Sequence, residues 1–289
     1  MNGIETGVLI SLALYFLLMI AIGVWAYFKA DNDSAGYMLG GRNLSPGVAA
    51  LSAGASDMSG WLLLGLPGYM YSSGVVSIWI ALGLTIGAFA NYLLVAPRLR
   101  VYTEIADNAI TLPDYFANRF EDKSHLLRVI SAIVIILFFT VYTAASLAGG
   151  GKLFDSALGM SYSTGLWVTA GVVVIYTLFG GFLAVSTTDF VQGVIMLLAM
   201  IIVPLVAFTD LGGVGATTTA IRNIDPEMLN IFSGMTFLGI LSLLAWGLGY
   251  FGQPHIIVRF MAIRSVKDVP TARRIGMSWM IVSLIGALM

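Results

Sequence analysis

The sequence predicts an all-α polytopic membrane protein, and three observations carry that expectation. Of its 289 residues, 58% are hydrophobic and 10% are charged, against about 25% charged in an ordinary soluble domain. The charges are clustered, so they leave apolar stretches near the roughly 20 residues that a helix needs to cross a bilayer. The basic residues also alternate in density along those stretches, as helix orientation in membranes requires. The same composition excludes other classes. Fourteen Lys and Arg against fifteen Asp and Glu give a net charge of −1, too little basic surface to hold nucleic acid. No cysteine is present, which removes disulfides, thiolate chemistry and Cys-ligated metals. Two histidines, His125 and His255, are too few for a His-rich metal site.

The elements follow from where the charges fall. Span one, the extra helix expected at 4–28, holds the uncharged stretch between Glu5 and Lys29. Without Lys or Arg before it, it lacks the basic start of a signal peptide and reads as retained. Between Arg42 and Arg98 there is one charge, Asp57, over a length that fits two helices with a turn near Ser72-Ser73-Gly74. Span four lies between Arg128 and Lys152. Span five lies between Asp155 and Asp189 and ends near Gly180-Gly181; span six runs from Asp189 to Asp210. Span seven lies between Glu227 and Arg259. An eighth apolar run starts near Ile275 and stops at Met289 after 15 residues, so the sequence is expected to be a portion of a longer protein that neither transports nor binds an ion tightly by itself.

Seven spans with the N-terminus outside put twelve of the fourteen basic residues on the cytoplasmic side and leave Lys152 and Arg222 outside. That asymmetry supports both the span count and an orientation with the N-terminus outside; the expected location is the cell inner (plasma) membrane, crossed several times. Two connections are more than linkers. Thr111-Leu112-Pro113-Asp114 is a helix start with a capping Thr, an early Pro and an acid in the first turn, so a short amphipathic surface helix is expected there. Residues 209–231, rich in Gly, Thr and Asp, read as an ordered outside loop.

Two helices should be broken at membrane depth. Span two contains Gly54-Ala55-Ser56-Asp57-Met58-Ser59-Gly60-Trp61. A glycine costs about 1 kcal/mol in a helix interior, and a carboxylate near the bilayer centre costs about 2.5 kcal/mol or more. Unwound backbone at that depth is tolerated only where it lines a cavity or is buried in protein. Span seven has the matching defect, Trp246-Gly247-Leu248-Gly249-Tyr250-Phe251-Gly252-Gln253-Pro254. Broken helices five spans apart are the pattern of a transporter built from two five-helix inverted repeats, with its site between the first helices of each. The domain organisation expected is one transmembrane domain over 1–289, with an extra helix at 4–28, a first repeat at 45–208 and the start of a second at 230–289.

The candidate site residues follow from chemistry. Asp57 is a cation-linked carboxylate. It either binds the ion directly or holds a segment whose Ala55 and Met58 carbonyls do so, since hard cations prefer oxygen. Asp189 is either a helix-start acid that complements the dipole or a further ion ligand near the inner exit. Arg42 is either a positive-inside anchor or part of a gating salt bridge. Trp61, Trp246, Tyr250 and Tyr142 fall well inside their spans and suit a small zwitterion with an apolar body. Ser59 and the Gly60 backbone would take its carboxylate and aromatic faces its ammonium.

At these residues the chain resembles the solute:sodium symporter family, and within it the bacterial sodium/proline symporters. The resemblance rests on Gly40-Gly41-Arg42, Ala55 to Trp61, Asn108 to Tyr115, Gly180 to Val185 with Asp189, and Trp246 to His255. It implies a five-plus-five inverted-repeat, LeuT-like core preceded by one extra helix, its second repeat incomplete here. It implies sodium-coupled uptake of L-proline by alternating access, with sodium as the co-transported ion. Ala55, Asp57 and Met58 would serve sodium, and Ser59, Gly60, Trp61, Tyr142, Trp246, Tyr250 and Pro254 would serve proline. The family completes its sodium site with hydroxyls from a later helix that this sequence does not reach. The alternatives are a symporter for another small solute or a channel or sensor of similar fold. An intramembrane protease is disfavoured, because the nearest string to its Gly-x-Gly-Asp signature, Gly247-Leu248-Gly249-Tyr250, has a tyrosine in place of the acid. The partners expected are L-proline and the lipid bilayer, with no nucleic acid and no obligate protein partner.

Overall fold

The computed structural model describes residues 6–30 and 33–289, and among these the secondary structure is helical. In chain order the helices are α1 (Thr6–Lys29), α2 (Ser34–Leu39), α3 (Pro46–Gly60), α4 (Leu66–Ser73), α5 (Ile78–Leu94), α6 (Ala96–Ile105), α7 (Leu112–Arg119), α8 (Leu126–Leu158), α9 (Tyr162–Asp210), α10 (Val214–Ile224), α11 (Phe237–Leu244), α12 (Pro254–Ala262) and α13 (Val269–Leu288). Apolar helical stretches at Thr6–Lys29, Pro46–Ile105, Leu126–Leu158 and Tyr162–Asp210 are long enough to cross a membrane. The second and fourth, at 60 and 49 residues, are each long enough for two crossings. Both are interrupted where the sequence places turns, at Gly74 (φ 70°) and Gly181 (φ 54°). The chain is a multi-pass membrane protein.

The helices fall into two units, residues 1–44 with 101–188 and residues 45–100 with 189–289. In the first unit, α1 packs closely on α9. A Cβ on Gly23 would fall 2.8 Å from the Tyr176 Cβ, the kind of approach by which helices associate in lipid without a hydrophobic driving force. Gly181 has φ 54° and ψ −148°, a region essentially reserved for glycine, and the chain turns there. The Tyr37 hydroxyl donates to the Thr177 and Leu178 carbonyls at 3.3 and 3.4 Å, just before that turn. The expected short helix is α7. Thr111 Oγ1 accepts the Asp114 amide at 3.2 Å, and Asp114 pairs with Arg128 of α8 at 3.1 Å.

The second unit contains both broken helices. Gly83 and Gly87 of α5 lie against Leu244 and Gly247 so closely that a Cβ on either would overlap the facing backbone. The small residues of this stretch therefore serve close packing as well as the break. Gly54 likewise stays helical, and its missing side chain admits the Trp279 ring of α13, 2.7 Å from where a Cβ would stand.

Two connections differ from expectation. The loop read at 209–231 contains an eleven-residue helix, α10. Its threonines satisfy their hydroxyls within the helix, Thr217, Thr218 and Thr219 donating to the carbonyls four residues before them. That local bonding lets a Thr-rich stretch be helical. The helix that follows Gly181 begins at Phe182, because Phe182-Leu183-Ala184-Val185 continue the apolar helix. Asp189 therefore sits two turns inside it and not in its first turn.

Candidate functional site at two broken helices

The first break is at Ser59. Helical geometry holds through Met58, then Ser59 adopts φ 44°, ψ −152°. A non-glycine residue pays of order 1–3 kcal/mol for such a conformation, a strain typical of functional segments. The Met58 carbonyl accepts the Trp61 amide, Gly60 is exposed, and Trp61–Gly65 form a wide turn before α4. The second break runs through Ala245–Phe251, a tighter 3₁₀ turn, to Pro254, which opens α12. Proline is suited to the first turn of a helix because its missing N–H is not needed there.

The two breaks meet. The Tyr250 hydroxyl donates to Asp57 Oδ2 at 2.5 Å. His255 Nε2 stands 3.9 Å from Asp57 Oδ1. The Trp61 and Trp246 rings stack with centroids 6.0 Å apart and planes inclined by 27°. Asp57, Met58 and Tyr250 line a cavity with Asn91, Tyr92 and Trp279. This cluster joins a carboxylate to a phenol, and four residues from each in sequence stands one of the two stacked aromatic rings. Oxygen donors of that kind suit a hard cation, and the aromatic faces suit a small organic solute.

Further along α3 lies a second polar group. Asp189 Oδ2 accepts from Arg259 Nη2 at 2.9 Å and from the Ser52 hydroxyl at 2.8 Å. Arg259 Nε also donates to Ser52 Oγ at 3.0 Å. Ser52 is fully buried, and Asp189 and Arg259 are 8% and 5% exposed. The cluster joins α3, α9 and α12. Ser52 precedes Asp57 by five residues, about 7.5 Å along the helix axis.

Of the residues singled out in sequence, Asp57, Trp61, Trp246 and Tyr250 come together here, with Ala55, Met58, Ser59, Gly60 and Pro254 on the same two chain segments. Arg42 and Tyr142 belong to the other unit. There Arg42 donates to Thr103 Oγ1 at 2.9 Å and the Ala109 carbonyl at 2.7 Å, and the Tyr142 ring packs on Phe139 at 5.5 Å. Sequence reasoning missed Ser52, Asn91 and the place of Arg259, which it counted among surface anchors. The signal for Arg259 was its spacing from His255. Four residues apart, the two share one face of α12, and Arg259 Nη1 donates to the His255 carbonyl at 2.5 Å.

The profile of the Sodium:solute symporter family matches residues 37–289. The chain is 62% identical over 271 residues to the high-affinity proline transporter PutP of Bacillus subtilis, covering 94% of this chain and 57% of that protein. It is 58% identical over 282 residues to the osmoregulated proline transporter OpuE of the same organism, covering 98% and 57%. It is 57% identical over 279 residues to a sodium/proline symporter of Staphylococcus aureus, covering 96% and 54%. It thus spans a little over half the length of these relatives. A solved structure of a Na+-coupled sialic acid symporter superposes with a TM-score of 0.79 at 17% identity, over 95% of this chain and 58% of that one. These findings bear out the expected LeuT-like fold, and the chain belongs to the Sodium:solute symporter family.

Proposed function

We propose that this chain forms part of a secondary active transporter that couples sodium entry to L-proline uptake by alternating access. The observation that carries the reading is the junction of the two broken helices, where Tyr250 meets Asp57 beside the stacked Trp61 and Trp246. Three relatives at 57–62% identity, named as proline transporters or a sodium/proline symporter, support the choice of cargo. Sodium is a second substrate. Asp57 and the Ala55 and Met58 carbonyls serve it, as oxygen ligands at a helix break. Ser59, Gly60, Trp61, Trp246, Tyr250 and Pro254 serve proline.

Alternating access needs elements that close the site on one side at a time. We assign that task to the polar clusters away from the breaks. Asp189, with Arg259 and Ser52, forms an internal latch, and Arg42 holds the chain between α6 and α7. Helices at 45–208 make the first inverted repeat and those from 230 begin the second. The excess of Lys and Arg in alternate connections supports an N-terminus outside the plasma membrane. Radiolabelled proline uptake by the full-length protein in proteoliposomes, with and without a sodium gradient, tests the reading. Accumulation only with the inward sodium gradient is expected, and sodium-independent or absent uptake contradicts it.

A further inference from the structure

Pro254 lies four residues after Tyr250. In a continuous helix each carbonyl accepts from the amide four residues on, and proline has no N–H to give. Here the 3₁₀ turn ends at Phe251 and Gln253 is extended (φ −84°, ψ 109°) before Pro254 opens α12, so the Tyr250 carbonyl has no donor four residues on, and Tyr250 is buried, where an unpaired acceptor is costly. The missing donor comes from another helix. Asn91 on α5 donates from Nδ2 to the Tyr250 carbonyl at 3.0 Å. Because that carbonyl only accepts, the facing atom must be the amide nitrogen. Asn91 is 1% exposed, a polar amide deep in an apolar helix and expensive unless used. The register is set one turn earlier, where Gly87 and Gly247 bring the two backbones together. From there one α-turn leads to Asn91 and one 3₁₀ turn leads to Tyr250.

We propose that Asn91 is a positioning residue for the transport site. Its amide supplies the donor that the helix break takes away and fixes the backbone from which Tyr250 reaches Asp57. The proposal rests on the symport reading and deepens it, since Asn91 acts through Tyr250 and touches neither sodium nor proline.

The test uses the full-length transporter in proteoliposomes, comparing wild type, Asn91→Leu, Tyr250→Phe and the double variant. Leucine keeps the side-chain volume and removes the donor. Asn91→Leu is expected to insert normally and to raise the sodium half-saturation and the proline KM about three- to tenfold, with a smaller effect on maximal rate. In the Tyr250→Phe background the hydroxyl that this backbone aims at Asp57 is already gone. The same Asn91→Leu change should then raise both constants less than about twofold. Unchanged constants in Asn91→Leu, or an equal penalty in both backgrounds, would make Asn91 a packing residue and overturn the proposal. Should the leucine variant not insert, Asn91→Asp keeps the shape but turns an acceptor toward the carbonyl; it should raise both constants, and normal constants overturn the proposal. A wild type without sodium-driven uptake overturns the symport reading and this proposal with it. Unchanged constants beside an active wild type overturn the proposal alone.

Discussion

Arg259 of α12 and Asp189 of α9 form a buried ion pair at 2.9 Å, and the hydroxyl of Ser52 on α3 bonds to both partners. Removing one member of such a pair strands the other charge away from water, at a cost of about 3–5 kcal/mol, whereas replacing both with apolar residues is often neutral. Arg259→Met alone should therefore lower the thermal stability of the purified transporter sharply. Arg259→Met with Asp189→Leu should recover most of that loss while leaving proline uptake impaired. A double variant with normal uptake would remove the pair from the transport cycle.

The stacked Trp61 and Trp246 lead to a prediction about substrate and not ion. Trp246 is 52% exposed, so its ring has a free face for a solute, and an aromatic has no charge to offer sodium. Trp246→Ala should weaken proline binding by about 1 kcal/mol, several-fold in affinity, and shift sodium half-saturation much less. Isotherms for both ligands on the same preparation measure the split. Equal shifts for the two would argue against an aromatic pocket.

Gly181 should tolerate no side chain. Its φ of 54° with ψ −148° excludes L-residues at a cost of about 1–3 kcal/mol. A Cβ there would also stand 2.7 Å from the Tyr37 carbonyl oxygen. Gly181→Ala should reduce the yield of folded protein and its melting temperature, and an unchanged melting temperature would contradict the geometry.

Outside the apolar spans, Asp122 caps the start of α8. Its carboxylate accepts from the Ser124 hydroxyl and amide and from the Leu127 amide. The Ser124 hydroxyl first, and the Leu127 amide next, hold its carboxyl below the usual carboxylate range. A depressed folded-state pKa stabilises the fold at neutral pH, and that contribution disappears as pH falls through it. Asp122→Ala should melt earlier than wild type at pH 7, with the gap closing in acid below the ordinary carboxylate range. A gap independent of pH would mean that the carboxylate charge is not what stabilises this cap.

The breaks at Ser59 and Pro254 were legible because glycine, proline and an intramembrane acid each raise the cost of a regular helix, and they occur together in both places. What those segments touch was not legible. Gly54 was read as a helix breaker, yet it stays helical because the Trp279 ring fills the space a side chain would take. Arg259 was read as a surface anchor because counting charges near a span end cannot distinguish a snorkelling side chain from one turned inward to a carboxylate 70 residues away in sequence. Asn91 gave no signal, since a lone amide in an apolar run acquires meaning only from the carbonyl it faces. The helix α10 was hidden by its threonines, which favour loops unless their hydroxyls bond back into the helix.

In the proposed transport cycle Asp57, held by Tyr250 where the two broken helices meet, couples the ion to the solute. Sodium-gradient-driven proline uptake by the full-length Asp57→Asn transporter in proteoliposomes tests it most directly. Asparagine keeps the shape and an acceptor for the Tyr250 hydroxyl but removes the charge. Normal insertion, a greatly raised sodium half-saturation and near-complete loss of uptake at the sodium concentration that saturates wild type are expected. Uptake with an unchanged sodium dependence would contradict it.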